Sequence, residues 1–247
     1  MEARFVPPIV DIAVANNAII PMTPFLYLSF IGLGLLFSLF FFYLNHRYGL
    51  EERKSHLLIF FIIVYVMAFE LYAYYLVQQG RQNVLVYNLF FVIGETLLIL
   101  AYLNALIDQQ RIKKALLFFI PCFLIWAAVN ALFFQHPTAM FQHYTHLLGS
   151  FGIVALCCYL LYRIFLVDGY WDQPLLSVPH FWNIAAILLF YCPNFIYFGS
   201  INLLWDIDKW YLTVLASLNR IFAALLYLIF GLSFYSSLIF MRSGNGR

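Results

Sequence analysis

Seven apolar runs dominate the chain, at about 22–45, 56–77, 85–107, 115–134, 144–166, 179–203 and 211–240, each bounded by a short polar loop. A hydrocarbon core of roughly 30 Å takes about 20 helical residues to cross, so every run is long enough to span one. Backbone polar groups have no water to bond inside a bilayer, and runs of this length satisfy them only as helices. The expected fold is an all-α polytopic membrane protein, a bundle of seven transmembrane helices. Composition agrees: 65% of the 247 residues are hydrophobic and 10% charged, against about 25% charged in ordinary globular chains. Residues 1–21 read as an extracytoplasmic N-terminal segment, 22–240 as the transmembrane domain and 241–247 as a short cytoplasmic tail. No loop is long enough to form a soluble domain.

The basic residues predict the orientation. With the N-terminus outside, Arg47, Arg53, Lys54, Arg111, Lys113, Lys114, Arg163, Arg242 and Arg247 fall on inner flanks, and only Arg4, Arg81 and Lys209 on the outer side. This is the bias expected of cytoplasmic loops, and it places the C-terminus in the cytoplasm and the chain in the inner (cytoplasmic) membrane. The start, "MEARFVPPIVDIAVANNAII", carries Glu2 and two prolines and no basic region ahead of an uninterrupted apolar core, so a retained rather than a cleaved segment is expected. The basic residues form no dense patch, so no nucleic-acid partner is expected. Cys122, Cys157, Cys158 and Cys192 all fall within predicted helices, as small apolar side chains rather than as disulfides.

Charges inside the apolar runs are the main functional signal. Counted from the outer helix ends, Glu70 lies about 7 residues deep in the second run, Glu95 about 10 in the third, Asn194 about 9 in the sixth and Arg220 about 9 in the seventh, which places all four in one layer. A lone charge at such depth costs on the order of 2.5–3.5 kcal/mol on insertion scales, so Arg220 is expected to pair with Glu70, Glu95 or both. A buried Glu–Arg–Glu cluster that fixes helix packing is one reading. The other starts from the charge count: two carboxylates and one guanidinium leave a net negative charge that suits a cation, a proton or a metal ion. The expected ligand-binding residues are Glu70, Tyr74, Glu95, Asn194, Asn219 and Arg220. Tyr72, Tyr74 and Tyr75 beside Glu70 suggest an aromatic cage for a cation. Asn88, Glu95 and Tyr102 recur every seven residues and are predicted to share the inward face of the third helix.

His143, His146, Ser150 and Cys157 form a second polar stripe at the start of the fifth run. Two histidines three apart can share a zinc ion, and Glu70 or Glu95 would complete a three-ligand site. The alternative is that His136, His143 and His146 decorate a wet outer rim. His56 and His180 are expected as anchors at inner helix ends. Pro193 in "LFYCPNFIYFG" removes a helical hydrogen bond and predicts a kink beside Asn194. Trp171, Trp182, Trp205 and Trp210 fall where an interfacial aromatic belt would lie.

Several seven-helix functions can be weighed by residue. A retinal Schiff base requires a lysine in the middle of the seventh helix; the four lysines Lys54, Lys113, Lys114 and Lys209 lie at helix ends or in loops, so no retinal is expected. Ceramidase-like intramembrane hydrolases need several histidines in late helices, and here the seventh has none. Carriers built of two three-helix halves would show an internal repeat, which is not detectable.

"PHFWNIAAILLFYCPNFIYF" at 179–198, "LNRIFAALLYLIFGLSFY" at 218–235 and "YNLFFVIGETLLILAYL" at 87–103 resemble the sixth, seventh and third helices of small uncharacterised seven-helix membrane proteins of Bacteroidetes-type bacteria. That resemblance covers about a third of the chain and rests on aromatic patterns. It implies an association with histidine-kinase signalling, and hence a cytoplasmic signalling partner such as a histidine kinase. The expected function is a receptor-like or sensory membrane protein with an outward-facing polar pocket. The alternatives are a small-solute or ion transporter using the intramembrane carboxylates and, behind it, a metal-dependent intramembrane hydrolase.

Overall fold

The computed structural model describes residues 22–48, 53–166, 174–204 and 209–240. The N-terminal segment 1–21, the tail 241–247, Trp171 and Trp205 lie outside the described residues. Among those described there is no strand, and seven helices are long and apolar enough to cross a membrane. They are α1 (Pro24–Tyr48), α2 (Arg53–Gln78), α3 (Val84–Leu106), α4 (Gln110–Phe133), α5 (His143–Leu166), α6 (Pro179–Leu204) and α7 (Lys209–Leu232). A 3₁₀ turn at Ser233–Tyr235 and a last helical turn at Ser236–Phe240 extend α7. α6 runs on through Pro193, and α4 likewise contains Pro121.

Packing closes α1, α2, α3, α5, α6 and α7 into a ring in that order, with α7 also touching α2. α4 stands outside the ring against α3 and α5. Its outer face carries Phe118, Ile125, Leu132 and Phe133 in the open; contiguous exposed apolar surface of this kind suits lipid contact. The interior, by contrast, holds many buried polar side chains, Ser38, His56, Asn88, Glu95, Asn130, Asn183 and Asn194 among them.

Two glycines let α1 and α7 pack backbone to backbone. A Cβ on Gly34 of α1 would fall on the Tyr227 carbonyl of α7, and one on Gly231 would fall on the Gly34 carbonyl. The two backbones therefore touch directly, as small residues allow in membrane bundles. A third glycine ends α2. Gly80 has φ +66°, its amide donates to Val77 O at 2.9 Å and the Arg81 amide to Leu76 O at 2.9 Å. This 5→2, 6→1 pair is a Schellman cap, and it turns the chain within a few residues from α2 into α3.

α3 is not uniform. Tyr87–Glu95 is π-helical, with Thr96–Leu106 continuing as α-helix. π turns widen the helix and are rare; here α2 supports one. The Tyr65 hydroxyl donates to Phe90 O at 3.1 Å, and Gly94 leaves the space that its phenol occupies, since a Cβ there would fall on the Tyr65 oxygen. Asn88, Glu95 and Tyr102 are all buried, at 1%, 0% and 0% exposure, so the seven-residue stripe does face inward.

Candidate functional site

A cavity of about 120 Å³ lies at the end of the bundle where α1, α3 and α7 begin and α2 and α6 end. Its walls are mostly aromatic, with Phe91, Phe141, Phe190 and Phe198 on one side and Tyr27, Tyr87, Tyr197 and Tyr227 among the rest. Glu70, Tyr74, Asn194, Asn219 and Arg220 all line it. Five of the six expected ligand-binding residues are thus brought together from three helices. The sixth, Glu95, is fully buried and is not on the wall.

Glu70 is held by tyrosines that its sequence neighbourhood does not reveal. Tyr27 of α1 donates to Oε1 at 3.2 Å and Tyr87 of α3 to Oε2 at 2.8 Å. The expected cage of Tyr72, Tyr74 and Tyr75 does not form around it: Tyr72 and Tyr75 are 51% and 58% exposed on the outside of α2. Residues two and five positions on point away from the face of Glu70, and only Tyr74, at i+4, shares that face. Glu95 is linked to the cavity wall through Tyr227, whose hydroxyl donates to Oε1 at 2.8 Å, while Oε2 is buried with no hydrogen-bond partner.

Arg220 does not pair with either carboxylate. Among the described residues no ion pair within 4.0 Å joins it to Glu70 or Glu95; its Nη1 donates to the main-chain oxygen of Met22, at 3.2 Å. Helix rotation explains the departure from expectation, because α1 and its leading residues meet α7 at this height and supply a carbonyl instead. Next to the arginine, Asn219 Nδ2 donates to Asn194 Oδ1 at 2.7 Å. Both Asn194 Nδ2 and Asn219 Oδ1 are buried, and neither has a hydrogen-bond partner among the described residues. Reversing both amides exchanges the roles and leaves the same balance, one unmet donor and one unmet acceptor.

The two histidines have separate surroundings. His143 is half-buried, with Nδ1 2.6 Å from Gln135 Nε2, and Gln135 in turn accepts from Asn130 Nδ2 at 3.1 Å. His146 is fully buried, with Nε2 3.3 Å from Ser150 Oγ, and its ring packs against Phe91, Phe141 and Phe198 with centroids 5.0, 5.9 and 4.8 Å away. It sits behind the cavity wall rather than on a wet rim, whereas His136 is exposed. No group of three His, Cys, Asp or Glu placed to hold a metal occurs among the described residues, so neither glutamate joins the histidine pair. At the opposite end of the bundle His56 is an interior residue rather than an anchor. It is fully buried, 2.9 Å from Ser38 Oγ, and wedged against Phe41 and Phe234. His180 Nδ1 lies 3.0 Å from the Tyr102 hydroxyl, which also accepts from Asn183.

Asn88 ties α3 to the α4–α5 loop beside this region. Its Nδ2 donates to Pro137 O at 2.7 Å and Met140 O at 2.9 Å, and its Oδ1 accepts from the Gln142 amide at 2.9 Å. One side chain therefore holds the α4–α5 loop over α3 and positions Phe141 on the cavity wall. Asn88→Ala is expected to cost about 2 kcal/mol, since it strands one buried backbone amide and two partly buried carbonyls. The check is a chemical-denaturation midpoint together with faster proteolysis within 134–142.

Comparison of the chain with protein-family models, with curated proteins and with solved structures finds no match in any of the three. The fold and site by themselves define a multi-pass, seven-helix membrane protein with an internal polar and aromatic cavity at one end.

Proposed function

We propose that the protein is a receptor-like or sensory integral membrane protein that binds a small molecule in this cavity and signals through a cytoplasmic partner. The carrying observation is the convergence of Glu70, Tyr74, Asn194, Asn219 and Arg220 on one aromatic-walled cavity, at the end where α1 begins. Buried polar groups left without partners inside an apolar bundle are costly, and a ligand that meets them offsets that cost. The distribution of Lys and Arg supports a cavity that faces outward across the inner membrane of a bacterium, with the C-terminus in the cytoplasm. The resemblance of α3, α6 and α7 to proteins associated with histidine kinases supports such a kinase as the partner.

The test is co-purification of the full chain in mild detergent from its native host, with mass spectrometry and elemental analysis of the same sample. A cytoplasmic signalling protein retained near stoichiometry is the expected result; a partnerless protein argues against the sensory reading. A second reading, proton- or ion-coupled transport, rests on Glu95, whose Oε2 is a buried acceptor with nothing bonded to it. Transport predicts substrate uptake that Glu95→Gln abolishes. Zinc retained in stoichiometric amount would favour the metal-dependent hydrolase instead.

A further inference from the structure

We infer that the ligand of this cavity is a small organic carboxylate whose apolar body is no larger than one ring. The inference rests on the ligand-binding reading above and narrows it to a chemical class. Both oxygens of Glu70 already accept hydrogen bonds, from Tyr27 and Tyr87. The acidic side of the cavity is thereby satisfied from within the protein. The basic side is not: among the described residues the hydrogen-bond partner of Arg220 is the Met22 carbonyl alone. A guanidinium carries five N–H donors in a planar fork that matches a carboxylate.

Asn194 strengthens the assignment. It is fully buried, lines the cavity, and its Nδ2 is an unmet donor beside Asn219, whose Oδ1 is an unmet acceptor. A carboxylate at this end takes hydrogen bonds from Arg220, and reaches the asparagine pair behind it only if those buried side chains turn toward the cavity. A hydroxyl or amine next to the carboxylate would meet the remaining amide oxygen. A cation finds only one free acceptor there, next to a guanidinium that repels it. The charge count in the sequence favours a cation; because tyrosines already bond both Glu70 oxygens, the unmet hydrogen-bonding capacity on the wall is that of Arg220, which calls for an anionic acceptor.

Size and wall chemistry fix the rest of the ligand. The cavity measures about 120 Å³ and is not closed on all sides; since an apolar cavity of about 150 Å³ accepts a single benzene ring, one ring is the upper limit for the apolar body, with the carboxylate toward the open side. Phe91, Phe141, Phe190 and Phe198 offer ring faces and edges to such a body. A two-chain lipid does not fit this volume.

The experiment uses the full chain in detergent and three probes of nearly one shape: benzoate, benzyl alcohol and benzylamine. Equilibrium dialysis measures binding, and thermal unfolding measures stabilisation. Benzoate is expected to bind at least about tenfold more tightly than benzyl alcohol, as a charge-assisted hydrogen bond allows. Arg220→Gln is expected to erase that preference. Asn194→Leu, which keeps the arginine, is expected to reduce benzoate binding severalfold and serves if Arg220→Gln does not fold. Preference for benzylamine, or equal binding of all three probes, overturns the carboxylate assignment but leaves a small-molecule cavity standing. Failure of every probe to bind overturns the carboxylate assignment and the ligand-binding reading with it.

Discussion

Gly231→Ala is expected to destabilise the bundle by about 3 kcal/mol or more, at the upper end of overpacking penalties. The added methyl group has no flexible neighbour to push aside, because what it meets is the Gly34 backbone, carbonyl and Cα alike. Accommodating it requires α1 and α7 to separate along their contact. Separation would also pull Tyr27 from Glu70 and Met22 from Arg220, so ligand binding should fall together with stability. Thermal or denaturant unfolding of the purified variant checks the prediction, with Gly32→Ala as control: a Cβ there meets only the Met67 Cε, at an ordinary 3.9 Å. Equal midpoints for the two variants would rule out the backbone contact.

Removing both tyrosines from Glu70 is the second large effect. Tyr27→Phe or Tyr87→Phe alone is expected to cost about 1 kcal/mol, since one hydroxyl still serves the carboxylate and interhelical hydrogen bonds in membranes are individually modest. The double variant leaves a buried carboxylate without a donor, and its cost is expected to rise to about 3 kcal/mol, more than the sum of the parts. The same pair of substitutions in a Glu70→Leu background should cost little, because acceptor and donors are then gone together. Unfolding midpoints for this cycle check the assignment; an unchanged penalty in the Glu70→Leu background would show that the hydroxyls serve some other group.

The helices were legible because each is a long apolar run with polar ends, and the expected spans agree with the observed ones to within a few residues. Depth was legible too. Counting residues from the helix ends placed Glu70, Glu95, Asn194 and Arg220 at one height; Glu70, Asn194 and Arg220 line one cavity, and Glu95 lies off its wall, joined to it through Tyr227. What counting cannot supply is rotation about each helix axis. Glu70 meets Tyr27 and Tyr87 rather than Arg220, and that outcome depends on how α1 and α3 turn against α2, which close packing at Gly34 and Gly94 helps to set. The tyrosines of α1 and α3 were present in the sequence, but nothing local distinguished Tyr27 and Tyr87 from aromatic residues that face lipid. His56 was misplaced for a related reason. Its position at a helix end suggested an interface, whereas Ser38 and the surrounding phenylalanines enclose it. The π segment had no sequence signature beyond Gly94.

The glycine contact also governs how the molecule can move. With main chain against main chain, no side-chain rotamer at Gly34 or Gly231 can absorb a shift, so α1 and α7 travel as one strut. Tyr27 and Arg220 ride on that strut, two to three turns from the contact. Around the cavity, hydrogen bonds join that strut to the helices facing it, Tyr27 to Glu70 of α2, Asn219 to Asn194 of α6 and Tyr227 to Glu95 of α3, so any opening of the cavity between them has to break or stretch all three.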